Sequence, residues 1–221
     1  MGAYRQTFDA GKYDRKIRQT LPFYEEFYRQ AAELAGTVFE RAVDWLDVGC
    51  GTGQMGRVAL DSIPVRRLVC CDTSEEMLGL ARERLGDAAE FAACDARRLP
   101  YAEAFDVVTA VQVFHYLQPQ ERRAAVEGCR KALREGGLFI SFENIAPCTD
   151  MGRDVCLERW KRYQMAQGKS PEESGKHIAR YGKDYFPITA EAHLRLLRDC
   201  GFKAAELLWL SNMQLGVWAV K

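Results

Sequence analysis

The sequence of 221 residues lacks several features that would place it in common classes of protein. Thirty-one basic residues balance thirty-one acidic ones, so the formal net charge is zero and nothing favours binding to nucleic acid or to an acidic membrane surface. No apolar run approaches the roughly 18 residues that a membrane-spanning helix needs, and no secretory signal is evident. We therefore expect a cytoplasmic protein with no membrane partner and no nucleic-acid partner.

Metal-binding and disulfide patterns are also missing, although the chain contains eight cysteines. None of them forms a C-x-x-C pair, and no group of cysteines and histidines has the spacing of zinc ligands. Scattered thiols in a chain of this length are typical of a reduced, cytosolic protein. We predict no metal site.

The composition is that of an ordinary globular protein, with 48% hydrophobic and 28% charged residues. The length predicts one domain over residues 1–221, with room for a sizeable core. Within it, residues 1–36 are predicted to form an N-terminal helical arm. Residues 146–187 interrupt the later pattern and are predicted to form a helical lid insertion.

Between these two segments, strand and helix patterns alternate with short connections, which predicts a doubly wound α/β fold. The last two strand patterns are close enough to form an antiparallel hairpin around Ser211-Asn212. We therefore predict a mainly parallel, seven-stranded sheet that ends in a C-terminal antiparallel hairpin. The predicted strands cover residues 42–48, 67–71, 89–93, 105–111, 138–142, 204–210 and 214–220.

Cap residues predict where several helices begin and end. Gly36 is expected to end the arm helix, and Gly136-Gly137 to end the helix that Pro119 begins. Thr73 has capping-box spacing to Glu76. The lid is expected to hold helices at about 151–167 and 171–181, and Thr189 to cap a helix that runs to Asp199.

A glycine-rich turn, Gly49-Cys50-Gly51-Thr52-Gly53, follows the first strand and precedes a helix. This arrangement brings backbone close to a ligand and directs helix N–H groups at it. Carboxyl ends of parallel strands meet at one edge of a sheet, where ligands bind. Five side chains are predicted at that edge: Asp47, Asp72, Asp95, His115 and Glu143.

Two kinds of nucleotide ligand are compatible with the loop. Residues 51–56 satisfy the dinucleotide pattern G-x-G-x-x-G, and Asp72 is suitably spaced to hold a ribose, which favours a nicotinamide cofactor. Asp47, however, would lie close to the pyrophosphate and repel it, and Asp95 adds a further acid. A ligand with a cationic amine, a ribose and an adenine, but no phosphate, suits these acids better.

The motif Leu46-Asp47-Val48-Gly49-Cys50-Gly51-Thr52-Gly53 resembles the first motif of the class I S-adenosylmethionine (SAM)-dependent methyltransferases. The resemblance is strong over residues 40–145 and extends by topology to 188–221. It implies SAM as cofactor, S-adenosylhomocysteine as product, and methyl transfer to an acceptor. It also implies cofactor-binding roles for Asp47, Gly49, Gly51 and Gly53 at the methionine part, Asp72 at the ribose, Asp95 and Ala96 at the adenine, and Gln112 on the methyl-donor side; Thr73 is a further predicted cofactor contact.

A narrower resemblance links the flanks to the carboxy-SAM synthases of tRNA wobble-uridine modification. It rests on Leu21-Pro22-Phe23-Tyr24 and on the tail from Glu191 to Lys221. That family places a Lys-Arg pair in the lid region, whereas this chain has Lys176-His177 with Arg180 three residues on. We interpret the chain as a relative that uses ordinary SAM; the resemblance also implies a homodimer.

Alternative functions remain at this stage. The chain could be a carboxy-SAM synthase or another non-methylating SAM enzyme, or a nucleotide-binding protein without transferase activity. The aromatic arm and lid, with neutral overall charge, favour a small-molecule acceptor, but phenols, thiols, amines and carboxylates are not separated. His115 is the leading candidate for a general base, since histidines titrate near neutrality, and His177 is the second. Candidate acceptor contacts are Tyr4, Tyr13, Arg180, Tyr181 and Tyr185, whereas His193 is predicted to be structural.

Overall fold

A seven-stranded sheet is the centre of the computed structural model, which describes residues 13–221 and, from residue 15 onward, their side chains. The strand order is β3-β2-β1-β4-β5-β7-β6. The pairs among β1 to β5 are parallel, and β7 runs antiparallel to both β5 and β6. The predicted sheet and its terminal hairpin are thereby confirmed. The strands are β1 Val43–Val48, β2 Val65–Asp72, β3 Glu90–Ala93, β4 Phe105–Val111, β5 Leu133–Asn144, β6 Ala204–Ser211 and β7 Gln214–Val220.

Helices cover both faces of the sheet, so the central strands are buried on each side. Every residue of β1 is buried, which explains its nearly continuous apolar sequence. Two hydrophobic clusters result, one on each face. The helices are α1 Tyr13–Thr20, α2 Tyr24–Val38, α3 Gln54–Ser62, α4 Glu75–Leu85, α5 Pro119–Ala132, α6 Asp150–Ala166, α7 Pro171–Ile178 and α8 Ala190–Asp199.

The glycines predicted to end helices have other roles. Helix α2 continues through Gly36 to Val38, and a Cβ on Gly36 would lie 2.9 Å from Cγ2 of Ile63. Gly36 thus permits close packing of α2 against the end of α3. Gly136 and Gly137 lie within β5, where the pairing with β4 shifts register. Helix α5 therefore ends earlier than predicted, at Ala132.

The arm and the lid contact each other on one face of the sheet. Trp160 of α6 is buried, and its Nε1 donates a hydrogen bond of 2.6 Å to the carbonyl of Thr20 at the end of α1. Lys169, after α6, donates to the hydroxyl of Thr20 and, over 3.1 Å, to Oε1 of Gln164. Burial lowers the pKa of Lys169 to about 8. The candidate lid is thus tied to the arm through α1.

Two of the predicted acceptor contacts are not fully covered by the structure. Tyr4 lies outside the described residues, and of Tyr13 only the position at the start of α1 is described.

A separate finding concerns membranes: none of the helices in residues 13–221 is long and apolar enough to span a bilayer.

Candidate cofactor and acceptor site

The glycine-rich turn lies between β1 and α3, as predicted, and holds its backbone in the left-handed region. Gly49 has a φ of 66° and Gly51 a φ of 53°, conformations that other residues rarely adopt. A Cβ on Gly49 would lie 2.5 Å from Cγ2 of Val113, so this glycine packs against the segment after β4. A Cβ on Gly51 would meet nothing within 4 Å. The turn therefore leaves space beside its own backbone.

Asp47 is buried near the end of β1, just before this turn. Its Oδ1 accepts a 2.8 Å hydrogen bond from the hydroxyl of Thr109, but among the described residues Oδ2 has no partner. Burial raises the pKa of Asp47 to about 7; the Thr109 hydrogen bond opposes the shift and the charge of Asp72 adds to it. A buried carboxylate with an unpaired oxygen is costly unless a cation or donor meets it.

Aromatic side chains of α2 border the same narrow cleft. Tyr24 and Tyr28 line it together with Asp47, Gly51 and Val111. The two tyrosines are hydrogen-bonded to each other through their hydroxyls. Sequence analysis assigned them no role, although Tyr28 follows Tyr24 by four residues and a helix brings such residues onto one face.

Asp72 ends β2 and organises the backbone around it. Its Oδ2 accepts a 3.0 Å hydrogen bond from the N–H of Gly51, and its Oδ1 accepts one of 2.9 Å from the N–H of Ser74. Ser74, and not Thr73, is the N-cap of α4, because its hydroxyl accepts from the N–H of Met77. The predicted capping role of Thr73 is therefore wrong by one residue.

Asp95 follows β3 and caps a short 3₁₀ turn that begins at Ala96. Its carboxylate accepts hydrogen bonds from the backbone and the guanidinium of Arg97, which also pairs with Glu121. The hydrogen bond from the Arg97 side chain is the main reason that the pKa of Asp95 lies below its usual value. Strand ends thus bring Asp47, Asp72 and Asp95 to one edge of the sheet.

Gln112, immediately after β4, adopts a φ of 60°, an unusual backbone conformation for a residue other than glycine. Its Nε2 donates a 3.3 Å hydrogen bond to the carbonyl of Phe142 in β5. The next residue is Val113, which packs against Gly49. The segment after β4 is therefore in contact with the glycine-rich turn.

His115 and Glu143 form a buried pair at this edge. Nδ1 of His115 lies 2.7 Å from Oε2 of Glu143, which also accepts from the backbone N–H of His115. Oε1 of Glu143 accepts from the N–H of Phe114 and from the hydroxyl of Ser141. Burial would raise the pKa of Glu143, but the hydrogen bond and charge of His115 hold it below its usual value. Nε2 of His115 is buried without a partner in residues 13–221.

Comparison with known proteins agrees with this geometry. The methyltransferase domain family matches residues 46–137, a range that contains the glycine-rich turn, all three acids and His115. This match and the relatives and solved structures below support a class I SAM-dependent methyltransferase.

Curated relatives resemble this chain at low identity. The carboxy-SAM synthase of Campylobacter concisus is 26% identical over 206 residues, which are 90% of this chain and 86% of the relative. The demethylmenaquinone methyltransferase of Thermotoga maritima is 33% identical over 105 residues, covering 47% of this chain and 44% of the relative.

Solved structures share the fold. A chain of the complex that contains the Haloferax volcanii Trm112 methyltransferase activator has a TM-score of 0.68 at 19% identity, with 99% of both chains covered. A protein from Bordetella parapertussis has a TM-score of 0.71 at 16% identity, covering 98% of this chain and 80% of its own.

The second predicted base, His177 on α7, lies close to the first through Tyr185. The ring centroid of Tyr185 is 5.9 Å from that of His115 and 5.7 Å from that of His177. Nδ1 of His177 is 2.9 Å from Nε2 of Gln164, and burial lowers the pKa of His177 to about 3. Such a group is a weak base.

Arg180 and Tyr181, two further candidate contacts, lie at the end of the lid. Nε of Arg180 is 2.7 Å from Oδ2 of Asp184, and its guanidinium lies over the ring of Tyr185 at 4.7 Å. Tyr181 forms an isolated bridge with Tyr185 and packs against the core. Arg180 and Tyr181 thus lie next to Tyr185, the ring that lies beside His115.

Two buried polar groupings near this edge were missed by sequence analysis. Arg122 of α5 donates to the carbonyl oxygens of Phe114 and Phe186, and so ties the end of the lid to the turn that carries His115. Gln214 pairs with Asn144 across β7 and β5, with 3.4 Å between its Nε2 and Oδ1 of Asn144. Phe186 lies 64 positions from Arg122, and Asn144 lies 70 positions from Gln214, so no local pattern reveals these contacts.

Proposed function

We propose that this chain transfers the methyl group of SAM to a small-molecule acceptor. The main support is Asp47, a buried carboxylate that keeps one oxygen unpaired beside an open glycine-rich turn. A cationic ligand group would satisfy that oxygen, whereas a pyrophosphate would be repelled. The same feature argues against a nicotinamide dinucleotide.

The remaining residues of the edge have the capacity to hold the other parts of SAM. A carboxylate offers about four acceptor positions. Asp72 uses one on each oxygen, for Gly51 and Ser74, and so retains positions for ribose hydroxyls. Thr73 is exposed beside Asp72. Asp95 and Ala96 follow the neighbouring strand and are assigned to the adenine, and Gln112 to the side of the methyl group.

When bound, SAM supplies an electrophilic methyl group on a sulfonium. The task of the protein is then to align the acceptor with that group and to exclude water. The arm and the lid are joined through Trp160 and Thr20 and cover one face of the sheet, and they serve to exclude water. A base is required only if the acceptor reaches the site protonated, and His115 is placed for that role.

A second candidate function is the synthesis of carboxy-SAM. It is favoured by seven relatives bearing that name, which are 20–26% identical over 84–96% of this chain. Mass spectrometry of the nucleoside that co-purifies with the protein separates the two functions. Carboxylated SAM would support the second function, and SAM or S-adenosylhomocysteine the first.

Calorimetric titration of an Asp47→Asn variant with SAM tests the assignment of Asp47. We expect the affinity to fall about 10-fold or more, because the substitution keeps the shape of the side chain and removes its charge. Asp44→Asn is a matched control on the same strand. Its carboxylate pairs with Arg66 and Arg134, away from the cleft, so it should lower stability and leave the affinity unchanged. Equal affinity for SAM in wild type and Asp47→Asn would contradict the assignment.

A further inference from the structure

We propose that the acceptor is a neutral hydroxyl compound of the phenol or enol class, and that its O–H proton passes to Nε2 of His115. This inference rests on the proposed methyl transfer and deepens it by naming the substrate class. Four observations carry it: the orientation of the imidazole, its unpaired nitrogen, the charges around it, and the rings beside it.

The first observation is the tautomer of His115. Glu143 accepts from four donors, one of which is Nδ1 of His115. The other three donors, the N–H groups of Phe114 and His115 and the hydroxyl of Ser141, direct hydrogens at both oxygens of Glu143, so Glu143 accepts and the proton between the two side chains belongs to Nδ1. Nε2 is then a bare acceptor, as a general base requires, and Glu143 is placed to stabilise the imidazolium that forms.

The second observation is that Nε2 of His115 meets no polar atom of residues 13–221, although the side chain is only 1% exposed. A buried acceptor without a donor is costly, and His193 shares this feature; His115 differs because it follows Val113, which contacts Gly49 of the glycine-rich turn. The hydroxyl group of a methyl acceptor would donate the hydrogen bond that Nε2 lacks.

The charges that surround the imidazole favour a neutral acceptor. Glu143, from β5, is occupied by its four donors, and His177 of α7 is neutral because burial lowers its pKa to about 3. Burial likewise lowers the pKa of His193 of α8 to about 4. Arg122 of α5 is directed at backbone carbonyls, and Arg180 pairs with Asp184. Neither an ammonium nor a carboxylate acceptor finds a dedicated counter-charge among these groups.

The aromatic rings and the acidity of the acceptor narrow the class further. The ring centroid of Tyr116 lies 4.2 Å from that of His115, and the ring centroid of Tyr185 lies 5.9 Å from it. Planar aromatic rings therefore lie beside the imidazole. A phenol, with a pKa near 10, is acidic enough for an imidazole to assist, whereas an aliphatic alcohol is a far weaker acid. A thiol near 8.5 is already partly ionised and has less need of a base.

The position of His115 fits transfer from a cofactor at the glycine-rich turn. Val113 contacts Gly49 of that turn, and His115 follows two residues later on the same short segment. In the step, the acceptor oxygen forms a bond to the methyl carbon as the carbon–sulfur bond breaks, with its electron pair left on sulfur. The hydroxyl proton moves to Nε2, so an aryl or enol methyl ether, a neutral thioether and an imidazolium result.

A panel of matched aryl acceptors tests the class. Each set contains a phenol, the corresponding aniline, thiophenol and benzylamine, and products are identified by mass after incubation with SAM. We expect methyl ethers of phenols, at a rate that rises with pH when SAM is saturating. Products from anilines, amines or thiols alone would overturn the inference, as would no product from any class.

Variants separate catalysis from packing. His115→Gln should slow ether formation about 100-fold or more, the usual range for loss of a general base. Glu143→Gln, at a positioning residue, should displace the pH profile. His193→Gln is the matched control, another buried histidine with an unpaired Nε2, and should change the rate less than about 3-fold. Equal losses in His115→Gln and His193→Gln would overturn the inference.

An optical measurement gives a readout without turnover. With S-adenosylhomocysteine bound, 4-nitrophenol is titrated and the nitrophenolate absorbance is recorded against pH. The wild type should ionise the bound probe at lower pH than in buffer, and His115→Gln should not. Identical ionisation curves would overturn the inference. SAM binding by the wild type and by each variant is measured by calorimetry. If the wild type does not bind SAM, the proposed function itself is contradicted. If it binds SAM but yields N- or S-methylated products, only this inference is contradicted.

Discussion

At the scale of single residues, Asp47 is a side chain whose protonation depends on its burial. Burial raises its pKa to about 7, whereas an unfolded chain would have it near 3.9. A group with a raised pKa stabilises the folded protein fully below the unfolded value and loses that contribution as pH rises through the folded value. Ionisation near pH 7 therefore destabilises the ligand-free protein and prepares the site for a cation.

This behaviour predicts opposite pH dependences for stability and for binding. Between pH about 4 and 7 the ligand-free protein should lose stability by up to about 1.4 kcal/mol per pH unit, relative to Asp47→Asn. Over the same range the affinity for SAM should rise, because only the ionised carboxylate meets the cation. Chemical denaturation and calorimetry at several pH values measure both trends. Parallel curves for wild type and Asp47→Asn would contradict the prediction.

The start of α4 offers a second test at this scale. Ser74→Ala should cost about 1 kcal/mol of stability, because the hydroxyl that caps the helix is lost. Thr73→Ala should cost less than about 0.5 kcal/mol, since that side chain is exposed and does not cap the helix. Denaturation of the two variants decides which residue is the cap.

At the scale of elements, sequence patterns predicted strands and the cofactor edge better than helix ends. Largely apolar runs predicted β1 and β4 correctly. Such runs are typical of parallel strands, because these are buried on both faces of the sheet. The prediction that Gly36 ends a helix was wrong, because a glycine inside a helix can permit close packing instead of ending the helix. The neighbour that requires this close packing is Ile63, 27 positions away in the sequence. The prediction that Gly136-Gly137 end a helix was wrong for another reason: they lie in β5 and form backbone hydrogen bonds with Lys221, which is 84 to 85 positions away.

The contact between the arm and the lid predicts a measurable loss of order. Trp160→Phe should cost about 1–3 kcal/mol, because the carbonyl of Thr20 would remain buried without its donor. Hydrogen exchange over α1 and α2 should then become faster. Tyr163→Phe is the control: its hydroxyl reaches the carbonyls of Arg18 and Leu21 at 3.2 and 3.3 Å from a more exposed position, so its effect should be smaller. Unchanged exchange in Trp160→Phe would show that this contact does not hold the arm.

At the scale of the whole molecule, the two sides of the site differ in how far sequence predicts them. The cofactor side is built from the ends of successive strands, so the positions of Asp47, Asp72 and Asp95 follow from the alternation of strand and helix. The acceptor side joins distant residues: Glu143 orients His115 from 28 positions away, and Arg122 ties in the lid. Sequence therefore indicated a SAM cofactor and two candidate bases, His115 and His177, but not the network that orients His115.

Ligand binding should stabilise the whole domain by mass action. At a SAM concentration of 100 times Kd the expected gain is about 2.7 kcal/mol, which for a chain of this size raises Tm by roughly 5–10 °C. The same concentration of NAD should raise Tm by less than about 1 °C, because Asp47 opposes a pyrophosphate. Thermal scans with either nucleotide measure the difference.

The most direct test of the central claim is calorimetric titration of one preparation with SAM and with NAD, at a pH above 7 where Asp47 is ionised. The buried carboxylate beside the glycine-rich turn predicts saturable binding of SAM with one site per chain and no binding of NAD. Binding of NAD without binding of SAM would contradict the assignment of the site and, with it, the proposed methyl transfer.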